Sequence, residues 1–223
     1  MTSVMLICGA VLWGAAVGAY AVPRAVHRLA VGVGEPWREP AVPAGREAVW
    51  GGVGTAGVCG VLAAASGAVP EVGVWLLATP VAVVLVTVDV RVRRLPDVLT
   101  LPLAGALAAL LGGAALLGGA GSWTRALLGG LALGGAYFLL WLIHPAGMGL
   151  GDVKLASSLG MALGWYGWGV LFAGAFAAFV LGALYGVGLM AVRRGSRRTA
   201  LPFGPFMALG ALAGLVTGAV SAS

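Results

Sequence analysis

The chain has 223 residues, of which 61% are hydrophobic, 9% are charged and 39 are glycine, and its mean hydropathy is +1.03. Those values exclude a soluble domain and describe a polytopic membrane protein, because a crossing needs about 20 mainly apolar residues and nearly the whole length divides into such stretches. The excess of basic residues, 13 against 7 acidic, reads in such a chain as topology, and no nucleic-acid partner is expected.

The first apolar run, from Val4 to Val22, has no basic residue before it and Arg24 and Arg28 after it. That flank order fits an anchor with its amino terminus outside, not a secretory signal. Further spans are predicted at 49–69, 73–89, 98–119, 125–143, 153–164, 167–192 and 203–221. The fold is therefore expected to be all-α, with about eight transmembrane helices in a single integral membrane domain, 1–223. The sixth span is short: at 1.5 Å per residue, Val153 to Gly164 reaches only about 18 Å. It must start inside the bilayer, run on past the turn "GWYGW", or thin the membrane locally.

Alternation from an outside amino terminus puts the breaks 23–48, 90–97, 144–152 and 193–202 in the cytoplasm. Every basic residue except Arg125 falls in or beside one of these breaks, as the positive-inside rule requires. Omitting the short sixth span would move Arg193, Arg194, Arg197 and Arg198 outside. The richness in Gly, Ala and Val has two readings, close helix packing or a compositional bias. Cys8 and Cys59 lie in apolar stretches with no ligand spacing around them, so neither a zinc site nor a disulfide framework is expected. His27 and His144 read as interfacial polar residues, and Trp123, Trp141, Trp165 and Trp168 as interfacial anchors.

Carboxylates within or at the edge of a membrane are costly, which makes each a functional candidate. Glu35, Glu39 and Glu47 share the first loop with arginines, and Glu71 follows Pro70 in a short outer turn; all four read as solvated loop charges. Asp89 closes the third span in "VVLVTVDVRVRRLPDVLTLP", and Asp152 opens the sixth in "GMGLGDVKLASSLG". Taken singly, Asp89 reads equally as a helix-end carboxylate paired with Arg91, Arg93 or Arg94, and Asp152 as an amino-terminal cap with Lys154 nearby. Taken together, they return to the same membrane level on the same side. Two carboxylates brought together at an apolar margin cannot both ionise easily, so one keeps a proton while the other takes one from water, the division of labour of aspartic proteolysis. Such a pair could instead bind a cation or relay protons. Asp97, after Pro96, is a third candidate, with helix capping as its simpler role. Gly147, Gly149 and Gly151 give the backbone before Asp152 the freedom to let another chain lie close.

These residues resemble the prepilin peptidases, or type IV leader peptidases, which are membrane aspartic proteases of the GxGD kind. "DVRVRRLPDVLTLP" from Asp89 to Pro102 is similar to the family's first aspartate motif, "GMGLGDVKLASSLG" to its second, and "LPFGPFMALGALAGL" from Leu201 to Leu215 to its carboxy-terminal segment with the FGPF core. "GAYAVPRAVHRLA" is a fainter fourth patch. The resemblance implies that Asp89 and Asp152 are the catalytic pair and that Pro96, Gly149, Gly151 and Lys154 shape the site. Asp97 stands where the family often has Asn. It further implies a prepilin or pseudopilin substrate, whose basic leader is cut at the cytoplasmic face of a prokaryotic plasma membrane while its apolar helix stays in the bilayer. Bifunctional members also resemble an N-methyltransferase and carry a zinc-binding cysteine loop after the first span. The 23–48 loop has no cysteine, so no methylation is expected.

The expected mechanism needs neither metal nor cofactor. One aspartate is general base to a water, and its protonated partner hydrogen-bonds the scissile carbonyl. The basic leader would approach Glu35, Glu39 or Glu47. The rival is a transporter or ion-conducting protein using the same aspartates, disfavoured because no charge is expected in the outer half of any span. A third reading, an inactive scaffold, needs the aspartates to be far apart.

Overall fold

A computed structural model describes residues 2–30, 45–145, 148–192 and 202–222. Among them every regular element is a helix: α1 (Thr2–Leu29), α2 (Gly45–Ser66), α3 (Glu71–Val92), α4 (Asp97–Leu116), α5 (Trp123–Ile143), α6 (Leu150–Tyr166), α7 (Trp168–Ala191) and α8 (Gly204–Ala222). The protein is an all-α polytopic membrane protein, and seven of these helices are long and apolar enough to cross a bilayer. The exception is α6, with 17 residues. It begins before the expected Val153 and ends at Tyr166, so it reaches about 25 Å. Gly167, at φ 153°, is the whole break between α6 and α7, a backbone state that side-chain-bearing residues rarely adopt.

The first helix departs from its expected end at Val22. It continues through Pro23 to Leu29, because Val22 and Val26 stay buried against Val84 and Val88 of α3. Arg24 follows the helix surface instead of opening a loop: its guanidinium donates to Tyr20 O at 2.8 Å and lies 3.7 Å from the Tyr20 ring centroid. The 23–48 break is therefore helical at both margins, since α2 already starts at Gly45.

The core gathers Trp75, Leu85, Leu107, Leu111, Tyr137 and Trp165 from α3 to α6, with Met207 and Leu215 from α8. The closest helix pairs are the sequential hairpins α1/α2, α5/α6 and α7/α8. Each has a reciprocal glycine contact at its seam. A Cβ on Gly51 would stand 2.6 Å from Gly18 O, one on Gly129 would stand 2.5 Å from Gly160 O, and one on Gly174 would stand 3.1 Å from Gly210 O. At these seams glycine is what lets two backbones approach. Gly54, Gly57, Gly105 and Gly135 face nothing within 4 Å, so there the composition carries no packing role. Both readings of the glycine content hold, at different positions.

Two further expectations fail at the end of the bundle formed by the α2–α3 and α4–α5 connections. Glu71 is fully buried, accepting hydrogen bonds from Trp165 Nε1 at 3.2 Å and from Ala120 N at 3.2 Å. It is not a solvated turn charge, because these two donors draw it inward at the first residue of α3. Trp165 is likewise buried at 0% exposure and anchors no interface. A buried acidic group therefore does occupy the half of a span remote from Asp89, where none was expected.

Candidate active site

Asp89 stands in the last turn of α3, which closes when Arg93 N bonds Asp89 O at 2.8 Å with Arg93 in the left-handed conformation at φ 53°. Its side chain is 5% exposed. The expected pairing with arginine is absent among the described residues. Arg91 bonds Glu47 at 3.0 Å instead, and Asp89 Oδ2 accepts the backbone N–H of Gly204 at 2.9 Å. That donor is the first residue of α8, so the carboxylate faces the positive end of a helix dipole. A Cβ on Gly204 would lie 2.8 Å from Asp89 Oδ2, so only glycine allows this approach.

Asp152 occupies the third position of α6. Its Oδ2 accepts the N–H of Gly149 at 3.1 Å, and its own N–H returns to Gly149 O at 3.1 Å. The capping role read from the sequence is thus present. The expected cation is elsewhere, because Lys154 Nζ pairs with Asp97 Oδ1 at 2.6 Å.

The fold brings the two aspartate segments together. The backbones meet where a Cβ on Gly151 would stand 2.7 Å from Leu95 Cβ. Pro96, extended at φ −71° and ψ 129°, precedes the first turn of α4, and its carbonyl accepts from Leu99 N and Thr100 N at 3.0 and 3.1 Å. Gly149 has room: a Cβ there would meet nothing nearer than Asp152 Oδ2 at 3.6 Å. The space beside Gly151, where room for another chain was expected, is taken by Leu95 of the other motif. Gly147 lies outside the described residues.

Glu47 is not a loop charge. It sits in the first turn of α2 and bridges His27 of α1 and Arg91 of α3, each at 3.0 Å. Its carboxylate is engaged by these two partners and stays one-third exposed. Glu35 and Glu39 lie outside the described residues.

Two residues at this end, Gly204 and Tyr137, were not singled out in the sequence. Gly204 was within view in the FGPF core, but nothing in one sequence says that its N–H points at Asp89. Tyr137 is 2% exposed and packs on Phe179 and Phe203 with ring centroids 5.5 and 6.3 Å away. It lies in an unbroken apolar span, where an aromatic residue carries no signal of its own.

A model of the type IV leader peptidase family matches residues 75–187, a stretch that contains both aspartates and makes up over half of the chain. The chain belongs to the type IV leader peptidase family. The matched stretch ends before Gly204, so the α8 contact to Asp89 is a feature of the fold beyond it. Among the relatives of this leader peptidase family member is a protein named prepilin leader peptidase/N-methyltransferase from Aeromonas salmonicida strain A449, 37% identical over 153 residues, covering 64% of this chain and 48% of the relative. Proteins of the same name from Stutzerimonas stutzeri and Pseudomonas putida are 35% identical over 151 residues (66% and 50% covered) and 46% identical over 85 residues (38% and 28% covered). The chain thus spans about half the length, or less, of these curated relatives. No solved structure matches.

Proposed function

We propose that this chain is a membrane aspartic endopeptidase that removes the basic leader from type IV prepilins or pseudopilins, with Asp89 and Asp152 as its catalytic pair. The observation that carries the reading is their juxtaposition: Gly151, beside Asp152, packs against Leu95 of the segment that leads out of Asp89, and each carboxylate has one oxygen held by a backbone N–H at a helix amino terminus. In the proposed reaction, one carboxylate takes a proton from water as its oxygen bonds to the scissile carbonyl carbon. The other, protonated, donates to the carbonyl oxygen, and a proton then passes to the leaving amine as the C–N bond breaks. A coupled pair titrates as a unit, so the two roles belong to the pair and not to either residue in advance.

The site-shaping roles follow the contacts. Gly151 lets Leu95 bring the two segments against each other, Pro96 sets the start of α4, Gly149 holds Asp152, and the Asp97–Lys154 pair ties α4 to α6. The aspartates share their end of the bundle with Arg24, Arg46, Arg91, Arg93, Arg94 and Lys154, while Arg125 lies at the other. Positive-inside reasoning therefore supports a cytoplasmic-facing site in a prokaryotic plasma membrane, with the substrate's apolar helix left in the bilayer. The whole stretch 1–223 serves as one integral membrane domain. We assign it no N-methyltransferase activity, since 23–48 contains no cysteine. Transport is not favoured: family membership speaks for a peptidase, and the cavity of about 300 Å³ between α2, α3, α4, α6 and α8 is lined by apolar side chains such as Val83, Leu103, Leu107 and Leu212, with Thr79 its one hydroxyl.

The test is coexpression in membranes of a prepilin from the same genome with wild type, Asp89→Asn or Asp152→Asn, following loss of the leader by mass. Cleavage by wild type alone supports the reading. Cleavage that survives either substitution removes that residue from the pair.

A further inference from the structure

The backbones of the helices that carry the two aspartates, α3 and α6, do not approach closely; each packs on α4 and α8. At the end of the bundle remote from the aspartates, however, α3 and α6 are joined by two side-chain hydrogen bonds. Trp165 Nε1 donates to Glu71 Oε1 at 3.2 Å, and Trp75 Nε1 donates to Tyr166 OH at 3.1 Å, with the Trp75 and Tyr166 ring centroids 6.1 Å apart. Glu71 and Trp165 are each 0% exposed and Trp75 is 2% exposed.

The surrounding loop is built around this junction. Ala120 N donates to Glu71, and a Cβ on Gly119 would stand 2.9 Å from both Glu71 Oε2 and the Trp165 ring. The backbone of Trp165 is pinned as well: Arg125 donates to Gly164 O at 3.0 Å and to Trp165 O at 2.8 Å, and Ser122 N donates to Trp165 O at 3.1 Å. These bonds satisfy carbonyls that the end of α6 would otherwise leave bare.

A buried carboxylate with no cation partner among the described residues is a costly way to hold two helices together. Apolar side chains would pack the same ends without that cost, but they allow axial sliding, since apolar burial has no direction and a hydrogen bond does. What the polar groups add is register. Along α3, Glu71 is about 27 Å from Asp89, and along α6, Trp165 is about 20 Å from Asp152, so a shift at this end is carried by two stiff helices to the carboxylates.

We propose that Glu71, Trp75, Trp165 and Tyr166 form a positioning clasp that sets the axial register of α3 against α6 and thereby the separation of Asp89 and Asp152. The catalytic consequence rests on the peptidase reading; the geometric one does not. These are positioning residues, since none touches the reacting groups.

The test measures geometry and turnover separately. Spin labels at Val90→Cys and Leu150→Cys, both exposed, are placed in a Cys8→Ser background with the buried Cys59 retained, and their separation is read by pulsed electron paramagnetic resonance in liposomes. Glu71→Leu is expected to displace or broaden the distance distribution, and Glu71→Gln, which keeps an acceptor for the indole N–H, to restore it. In leader cleavage, Glu71→Leu lowers kcat about tenfold or more with KM within about twofold, since misplacement of reacting groups by about 1 Å costs up to 100-fold. A wild-type distribution in Glu71→Leu, or equal disturbance in Glu71→Gln, overturns the proposal. Should Glu71→Leu fail to fold, Trp165→Phe, which removes the indole donor and keeps an aromatic ring of smaller size, carries the same expectation and the same refutation. If wild type cleaves no prepilin, the peptidase reading fails, and the label distances still decide the clasp.

Discussion

Lys154 Nζ lies 2.6 Å from Asp97 Oδ1 and so ties the start of α6 to the first turn of α4. This pair keeps the lysine off Asp152 and gives the third carboxylate a partner outside the proposed catalytic pair. Its side chains are 30% and 61% exposed, which limits its worth to about 1 kcal/mol or less. Asp97→Asn is therefore expected to keep leader cleavage within about threefold of wild type, and a double-mutant cycle with Lys154→Gln to give a stability coupling below about 1 kcal/mol. A loss from Asp97→Asn as deep as that from Asp152→Asn would bring Asp97 into the pair.

The two glycines before Asp152 are expected to part company on substitution. Gly151→Ala forces a methyl to within 2.7 Å of Leu95 Cβ, so the start of α6 must move from the loop that leads out of Asp89. Gly149→Ala meets nothing nearer than Asp152 Oδ2, at an ordinary 3.6 Å. Cleavage per folded molecule should fall by about tenfold or more in the first and change by less than about threefold in the second, as misplacement near reacting groups is felt steeply. Comparable rates in the two variants would show that the approach of Leu95 does not matter.

These contrasts also show what one sequence could and could not tell. Seven apolar stretches were readable because each runs near the length of a crossing, the short sixth because the arginines after α7 needed it to stay on one side, and the two aspartates because a carboxylate at a membrane margin is rare. The end of α1 was missed because Pro23 and Arg24 look like punctuation, while the contacts that extend the helix, Val22 and Val26 on Val84 and Val88, are made by a distant helix. Glu71 was misread for a related reason: an acidic residue after a proline looks like a turn, and its donors come from Ala120 and Trp165. Gly204 was seen as part of a motif, yet its purpose depends on a hydrogen bond spanning 115 positions. What stayed hidden in each case is a tertiary partner that no local pattern encodes.

Gly204→Ala tests that hydrogen bond directly. The added methyl would lie 2.8 Å from Asp89 Oδ2, so either the carboxylate or the start of α8 must yield, and the N–H bond to Asp89 lengthens. Alanine is a better helix former than glycine by about 1 kcal/mol, so the helix itself is not weakened. The expected outcome is a fall in kcat of about tenfold or more, with the thermal midpoint in detergent changed little. A wild-type rate would show that the Gly204 contact does not position Asp89 for catalysis.

The glycine seams predict opposite signs for one chemical change made on a single helix hairpin. On α6, Gly160→Ala places a Cβ against Gly129 O and 2.9 Å from Leu133 Cβ, so α5 and α6 must separate. Overpacking of that kind costs about 1–3 kcal/mol. On α5, Gly135 faces nothing within 4 Å, and Gly135→Ala gains helix propensity of about 1 kcal/mol without a new clash. Thermal unfolding of the two purified variants should move the midpoint down for Gly160→Ala and up for Gly135→Ala. Because the backbone change is identical, the difference isolates the packing of the seam. It bears on function as well, since α6 carries Asp152 on the far side of this contact. A Gly160→Ala protein with an undiminished midpoint would mean that the close approach of α5 and α6 contributes little to holding that helix.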